Sequence, residues 1–310
     1  MLQEPQFNCF EMLLAEKLKA MNYEFKHFFW RAGLEYGKQC HSNLFTIATQ
    51  DHYYDYYFLN YFGILLEEKI NPAIEVEIEQ SGSYIIKLDY FFLNYCNMYQ
   101  KEHHIHAFII DINEDLVSIQ DNYFGCEKII EKETLLSWWN YSQEFVKCKF
   151  VRIEVIDAAT CKEISTLEAL QHNIKLMTDQ NIYQSYGDYQ FSYGFDALEK
   201  IVTDILKAIV NKDFYRLDSF SEGIDTIRRS RKQAADFFEL RGEVKIRSLY
   251  LKIYTKWSNV FMSILKIIVS TCIQEEIYDT MERLLKEITV MEHDAVDFLK
   301  ERVKEIKNES

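Results

Sequence analysis

The chain has 310 residues, with 35 Lys and Arg against 49 Asp and Glu, which gives a formal net charge of −14 at pH 7. A balance this acidic disfavours nonspecific nucleic-acid binding, because such binding needs an excess of basic side chains to displace counterions from phosphates. The hydrophobic content of 48% argues against disorder, and the nine glycines form no GxGxxG or GxxxxGK[ST] motif, so common nucleotide-dependent chemistry is disfavoured.

The first predicted element is a helix that begins close to the start of the sequence. Asn8 is a favourable N-cap, and Glu11 stands three residues after it, as in a capping box. Apolar side chains then recur on one face of the predicted helix. Cys9 would therefore occupy the first helical position.

Runs rich in β-branched residues follow, and they predict a small antiparallel sheet beside this helix. Residues 74–79 (IEVEIE) alternate apolar and acidic side chains with a period of two, as a half-exposed strand does. Turn residues at 81–83 and 113–115 indicate two hairpins. The predicted strands are 74–79, 84–88, 107–110, 117–119 and 150–155.

From about residue 167 the pattern becomes helical. Apolar side chains recur at spacings of three and four between residues 195 and 209, and the later helical segments contain no proline. These later segments are 223–240, 244–273 and 276–307. The sequence thus predicts an α+β chain with a first domain at residues 1–160 and a helical domain at residues 161–310. Polar and tyrosine-rich residues near 179–194 are the candidate linker.

The cysteines and the apolar segments bear on the cellular compartment. The seven cysteines include no CxxC pair, and their odd number suggests neither a disulfide framework nor a zinc ribbon. No signal peptide is visible, and the most apolar helical stretch, residues 260–273, is interrupted by Lys266 and too short to span a bilayer. We expect a cytoplasmic protein that binds neither a membrane nor nucleic acid.

Cys9 is the first of three residues that together indicate nucleophilic chemistry. At a helix N-terminus the dipole and the free N–H groups stabilise a thiolate, and the same N–H groups can hold a developing oxyanion. The alternative interpretation is a buried, unreactive cysteine at a helix start.

His106 and Asp121 are the other two residues of this set. His106 stands at the entry to a predicted strand, where an imidazole can activate a thiol, and Asp121 ends the next strand. Antiparallel pairing through a short turn brings these strand ends together, so Asp121 is placed to orient the imidazole. A metal site that uses His104 and His106 is the alternative, but the sequence offers no further well-placed ligand, and we expect no metal.

The order and spacing of these residues resemble papain-like cysteine protease folds of the bacteriocin-processing kind. In those proteins a Gln six positions before the nucleophile helps to form the oxyanion hole. Gln3 stands six positions before Cys9, and Gln6 is the alternative.

Residues 84–95, followed by Tyr99, His103 or His104, His106 and Asp121, more specifically resemble the N-terminal domain of the butirosin biosynthesis protein H family. The resemblance covers roughly residues 3–155 and extends more weakly into the helical half. Asn94 stands where this family usually has Pro, and the Gly that often follows the His strand is missing at residues 111–112.

The resemblance implies a papain-like catalytic domain, a helical domain that covers the substrate cleft, and an amide-forming acyltransferase reaction. Family members move an acyl group from a carrier-protein thioester to an amine in thiotemplated, nonribosomal antibiotic biosynthesis, and similar enzymes serve closthioamide assembly. Cys9 would carry the acyl group, His106 would move protons and Asp121 would orient His106, with Gln3 in the oxyanion hole. The candidate cleft or substrate contacts are Asp89, Tyr90, Tyr95 and His104.

The implied partners are a phosphopantetheine-bearing acyl or peptidyl carrier protein and a small amine, with no cofactor held by the chain itself. A basic run on a predicted solvated helix face, which includes Arg228, Arg229 and Arg231, is a candidate docking surface for the carrier. The helical half is also a candidate homodimer interface. Two other functions stay open, namely a cysteine peptidase or thioester hydrolase with the same triad, and a non-catalytic binding protein on the same scaffold.

Overall fold

The structure is a computed structural model, and it describes residues 7–39, 45–48, 58–60, 62–156, 164–179, 189–270 and 275–309. The described strands in chain order are β1 (Glu35–Gln39), β2 (Phe45–Ala48), β3 (Ile64–Ile70), β4 (Gly82–Asp89), β5 (Ile105–Asn113), β6 (Leu116–Asp121), β7 (Cys126–Glu131), β8 (Lys149–Val155) and β9 (Tyr189–Tyr193). The described α-helices are α1 (Cys9–Ala20), α2 (Ile74–Glu77), α3 (Lys132–Ser142), α4 (Thr166–Thr178), α5 (Gly194–Val210), α6 (Phe214–Leu240), α7 (Val244–Ser270) and α8 (Glu275–Glu309). The chain is therefore α+β, with antiparallel sheets and a C-terminal helical region, as the sequence predicted.

The chain divides into two compact units. One unit comprises Met1–Phe25 and Tyr53–Glu163, and the other comprises Lys26–His52 and Ile164–Ser310. The first unit ends at Glu163, close to the predicted domain boundary after residue 160. Residues 26–52 fall within the predicted first domain but belong to the helical unit. Within the predicted linker, residues 189–193 form β9, and residues 180–188 lie outside the described part of the chain.

The first unit is built around a six-stranded antiparallel sheet in the order β3-β8-β4-β5-β6-β7. Helix α1 packs on one face of this sheet, where Leu13 contacts side chains of the central strands. Helices α2 and α3 pack on the opposite face, where Trp139 is fully buried. The apolar side chains in the α1 layer are Leu13, Ile85, Ala107, Ile109 and Val151. The sheet therefore separates two apolar layers, and α1 lies over β4 and β5.

Helix α1 begins where the sequence predicted. The Asn8 side chain accepts a hydrogen bond from the Glu11 backbone N–H, and the Glu11 carboxylate accepts one from the Asn8 N–H, each at 2.8 Å. This reciprocal capping box satisfies two N–H groups that would otherwise lack partners. It also places Cys9 at the first residue of the helix.

The predicted strand at residues 74–79 is wrong, because Ile74–Glu77 forms the short helix α2. Ile74 and Ile78 are buried while Val76 is 60% exposed, so the spacing of four residues, not of two, decides the burial. The predicted hairpin with residues 84–88 is absent as well, since β4 pairs with β5 and β8 in the described sheet. Strand β3, which the sequence analysis missed, pairs with β8.

The second predicted hairpin and the strand at residues 150–155 are confirmed. Strands β5 and β6 pair from Asn113 opposite Leu116 to Ile109 opposite Gln120. Glu114 adopts a positive φ of 52° in the turn between them. This hairpin carries His106 near its start and Asp121 at its end.

The second unit combines the helices α4 to α8 with a three-stranded sheet in the order β2-β1-β9. Arg231 is fully buried in this unit, so the prediction that it lies on a solvated helix face is wrong. Its Nε donates to Glu292 at 3.0 Å, which compensates its charge within the apolar core. Arg228 and Arg229 both pair with Asp225 on the same helix. Among the described helices, none is both long and apolar enough to cross a membrane.

Candidate active site

The candidate site lies within the first unit, at the N-terminus of α1. Cys9 is half-buried there, and its thiol lies close enough to the His106 imidazole and to the Ala107 backbone for both to lower its pKa. Ala107 lies on β5 and belongs to the apolar layer beneath α1. The helix start and the strand start therefore bring a thiol and an imidazole into contact.

Asp121 lies on the other side of the imidazole. His106 Nε2 is 2.8 Å from Asp121 Oδ2, and both side chains are at most 5% exposed. Since Nε2 faces the carboxylate, Nδ1 is the ring nitrogen that remains for the Cys9 thiol. The structure thus brings together the three residues that the sequence analysis selected, in the order thiol, imidazole, carboxylate.

The Asp121 carboxylate accepts hydrogen bonds from four described donors. Besides His106 at Oδ2, the Tyr95 hydroxyl donates to Oδ2 at 3.0 Å, and the backbone N–H groups of Tyr123 and Phe124 donate to Oδ1 at 3.1 and 3.2 Å. Burial, followed by the charge of Asp121, raises the pKa of Tyr95, so the hydroxyl stays protonated and donates. Both oxygens of the Asp121 carboxylate therefore have hydrogen-bond donors.

The pKa shifts of Cys9 and His106 favour a thiolate–imidazolium pair. Burial raises the pKa of the Cys9 thiol, but the hydrogen bond and charge of His106, the Ala107 backbone and the charge of Lys87 together lower it below its ordinary value. Burial lowers the pKa of His106, but the hydrogen bonds and charges of Asp121 and Cys9 raise it above its ordinary value. Each ion therefore stabilises the charged form of the other.

Aromatic rings surround the imidazole. The ring centroid of Phe124 is 4.8 Å from that of His106, and the ring of Tyr123 lies 5.6 Å away. Tyr123 is 65% exposed, so it lies at the rim of the site. These rings restrict the orientation of the imidazole and reduce its contact with water.

The candidate contact residues Asp89, Tyr90 and His104 belong to a neighbouring cluster. Asp89, fully buried at the end of β4, accepts from the His104 backbone N–H and lies 2.6 Å from His103 Nδ1. The Tyr90 hydroxyl donates to Glu102, and the exposed His104 ring lies against the Tyr90 ring. Because the Asp89 carboxylate also caps the turn at its own strand end, it holds the shape of this loop.

Of the remaining predicted residues, one contacts Asp121 and two lie outside the described part of the chain. Tyr95, expected only as a cleft contact, donates directly to Asp121. Gln3 and Gln6, the alternatives for the oxyanion hole, lie outside the described residues. Across the described part of the chain, no three His, Cys, Asp or Glu side chains form a group that could hold a metal ion.

Two residues near the site were missed by the sequence analysis. Lys87 of β4 lies beneath the first turn of α1, with its Nζ 3.7 Å from the ring centroid of Phe10. Glu16 of α1 accepts from Gln120 at 3.4 Å and from Asn122, the residues on either side of Asp121. The helix that carries Cys9 therefore also holds the strand end that carries Asp121. Lys87 is the one charged residue in the predicted strand 84–88, and this was the sequence signal that could have identified it.

No protein-family model matches this chain, and a comparison with curated proteins finds no significant match. The chemistry of the site must therefore be inferred from its residues and their geometry. A thiol paired with a carboxylate-held imidazole can form and discharge a covalent acyl intermediate.

We expect iodoacetamide to alkylate Cys9 at a lower pH than an ordinary thiol. The lowered pKa raises the fraction of thiolate at each pH below the ordinary value, so the fall in alkylation with decreasing pH begins at a lower pH. The measurement is the pH dependence of alkylation at each cysteine, read by peptide mass spectrometry.

Cys126 is the control in the same sample, because burial raises the pKa of its thiol. His106→Gln should move the Cys9 midpoint upward, since burial then acts on the thiol without the opposing imidazolium. Equal midpoints for Cys9 and Cys126 in the wild type would contradict the ion pair.

Proposed function

We propose that this chain is a papain-like cysteine acyltransferase that moves an acyl group from a carrier-protein thioester through Cys9 to an amine. The observation that carries the proposal is the His106 imidazole, whose Nε2 lies 2.8 Å from the buried Asp121 carboxylate and which lowers the pKa of the helix-start thiol of Cys9. The resemblance of residues 3–155 to the butirosin biosynthesis protein H family supports the choice of reaction.

The first half-reaction would transfer the acyl group to the protein. The Cys9 thiolate attacks the thioester carbonyl, a new C–S bond forms, and the carbonyl oxygen becomes an oxyanion. Backbone N–H groups at the start of α1, with Gln3 as the expected side-chain donor, stabilise that oxyanion. Collapse breaks the original C–S bond, and the departing carrier thiolate takes the proton from the His106 imidazolium.

The second half-reaction would form the amide. His106, now neutral, accepts a proton from the amine as its nitrogen attacks the acyl carbon on Cys9. Collapse of the second tetrahedral intermediate breaks the C–S bond and releases the amide, which restores the thiolate–imidazolium pair. Because thioester exchange is close to isoenergetic and an amide is more stable than a thioester, the sequence of steps needs no nucleotide.

We expect a panel of simple acyl thioesters to leave an acyl adduct on the wild-type protein and none on Cys9→Ala. Added amines should discharge the adduct faster than water does, since an amine is the proposed acceptor. Intact-protein mass spectrometry measures both the adduct and its discharge.

Cys126→Ala is the matched control and should acylate like the wild type, since Cys126 lies on β7 outside the triad. An adduct cleared by water alone would replace the transferase with a thioester hydrolase. No adduct from any donor, together with inertness of Cys9 to iodoacetamide, would favour a non-catalytic binding protein.

A further inference from the structure

Lys87 is a mostly buried cation at the centre of the six-stranded sheet. It lies on β4, opposite Ala107 of β5 on one side and opposite Lys149 of β8 on the other. Its side chain is 16% exposed. Ile85, two residues earlier on the same face, packs in the apolar layer beneath α1, so Lys87 extends into that same layer.

The ammonium group of Lys87 has two described contacts. It lies 3.7 Å from the ring centroid of Phe10, the residue that follows Cys9, and 3.4 Å from Glu68 Oε2 on β3. Glu68 does not belong to Lys87 alone, because Lys149 Nζ lies 2.8 Å from its other oxygen. In this cluster of Lys87, Glu68 and Lys149, two cations share one carboxylate and leave one positive charge in excess.

A buried positive charge beneath a helix N-terminus is unfavourable by itself. The helix dipole already places partial positive charge there, and burial removes the ammonium group from water. The buried ammonium group of Lys87 becomes favourable when a negative charge lies at the N-terminus of α1. The Cys9 thiolate, at the first residue of α1, is such a charge.

The other charged groups near Cys9 do not supply the balance. The buried Glu11 carboxylate, in the first turn of α1, accepts from the Asn8 N–H and offsets the partial positive charge of the helix N-terminus. His106 and Asp121 form a pair whose charges cancel when the imidazole is protonated. The thiolate is then matched by the excess charge of the Lys87 cluster. The pKa directions agree, because the charge of Lys87 lowers the pKa of Cys9. Burial, and then Lys149, lower the pKa of Lys87, while the charges of Glu68 and Cys9 oppose that change.

We propose that Lys87 is a positioning residue that holds negative charge at the start of α1. The charge resides on the sulfur of Cys9 in the resting protein and, if the proposed acyl transfer takes place, moves to the carbonyl oxygen of the tetrahedral intermediate. Only the second half of this inference rests on the proposed function. Glu68 sets the strength of the effect, because it neutralises part of the charge of Lys87.

The test is the pH dependence of Cys9 alkylation by iodoacetamide in single-charge variants. Lys87→Met should slow alkylation at about pH 6 by roughly three- to tenfold and move the midpoint upward, because one pKa unit corresponds to a tenfold change. Glu68→Gln should move the midpoint in the opposite direction, because it frees the charge of Lys87. Lys87→Arg keeps the charge and should restore most of the wild-type rate.

Lys149→Met is the matched control, since it removes the same charge from the same sheet but not from beneath α1. It should move the alkylation midpoint of Cys9 upward, as Lys87→Met does, but by a clearly smaller amount. Thermal unfolding of each variant shows whether a change in alkylation comes from the altered charge or from a loss of stability. If Lys87→Met does not fold, the single variants Lys87→Arg and Glu68→Gln still test the inference.

An unchanged pH profile in Lys87→Met would overturn the inference, and so would Lys87→Met and Glu68→Gln shifting the midpoint in the same direction. Alkylation needs neither a thioester nor an amine. Failure of acyl transfer with these shifts intact would therefore refute the proposed function while leaving the role of Lys87 at the thiolate in place.

Discussion

Replacing Asp121 with Asn is expected to slow acylation of Cys9 by about 10²- to 10³-fold, although the two side chains have nearly the same shape. The expected loss lies below the largest losses seen for serine triads, because a thiol depends less on its base than a hydroxyl does. Alkylation of Cys9 at about pH 7 should fall as well, since the thiolate loses its imidazolium partner.

The reason lies in the four donors that surround the Asp121 carboxylate. His106 and Tyr95 approach Oδ2, while the backbone N–H groups of Tyr123 and Phe124 approach Oδ1. A carboxylate accepts at both oxygens, whereas an amide offers one acceptor and one donor. One pair of donors must therefore face an NH₂ group in the variant.

Either orientation of the amide damages the site. With its oxygen towards the backbone, the NH₂ group faces His106 Nε2, which must then accept a hydrogen bond and leave the proton on Nδ1. That tautomer cannot take a proton from Cys9. With the amide reversed, the backbone N–H groups of Tyr123 and Phe124 lose their acceptor, and the loop after β6 is destabilised.

Tyr95→Phe is the control for this prediction, because it removes one donor to Asp121 and leaves the carboxylate and the tautomer of His106 unchanged. We expect its acylation rate to stay within about threefold of the wild type, since His106 and two backbone N–H groups still hold the carboxylate. Acylation rates follow from the appearance of the adduct in rapid-quench mass spectrometry. An Asp121→Asn variant that acylates at the wild-type rate would show that the imidazole needs no ionised partner.

The three central site residues could be predicted because each depends on a local signal. The capping box of Asn8 and Glu11 fixes the start of α1 within four residues, and this places Cys9. The hairpin of β5 and β6 turns within a few residues, so the start of one strand and the end of the next meet. Short-range geometry alone thus brought His106 to Asp121.

Ambiguous periodicity explains the main error in the fold. Ile74 and Ile78 are four residues apart, a spacing that fits both a period of two and the period of a helix. Residue 76, midway between them, distinguishes the two: a strand would bury it with Ile74 and Ile78, whereas a helix would not. Val76 is exposed in the structure. The predicted place of this segment beside β4 is taken by β8, which is more than 60 residues away from β4 along the chain.

Long-range pairing explains what the sequence did not reveal. Strand β1 pairs with β9, from Glu35 opposite Tyr193 to Gln39 opposite Tyr189. No local pattern in residues 26–52 predicts this pairing. The same holds for Lys87, whose carboxylate partner lies on β3 and whose aromatic contact lies on α1. A charged residue is expected at the surface by default, and only the fold shows which charges are buried and paired.

Arg231 is the clearest example of such a buried charge, and it leads to the second large prediction. Glu292→Ala is expected to lower the free energy of unfolding by about 3–5 kcal/mol, the usual effect of removing one partner of a buried ion pair. Both side chains are nearly inaccessible to water, and Glu292 Oε1 accepts from Arg231 Nε at 3.0 Å and from Trp257 Nε1 at 2.9 Å. The variant leaves the Arg231 charge buried without its carboxylate.

Urea unfolding followed by far-ultraviolet circular dichroism measures the loss as a lower midpoint. Glu287→Ala is the matched control on the same helix, because the pair of Glu287 with Lys256 is at the surface and should leave the midpoint unchanged. The double variant Arg231→Met with Glu292→Leu should recover much of the stability, since neither charge then remains buried. A double variant no more stable than Glu292→Ala would show that hydrogen-bond geometry, and not the unpaired charge, determines the loss.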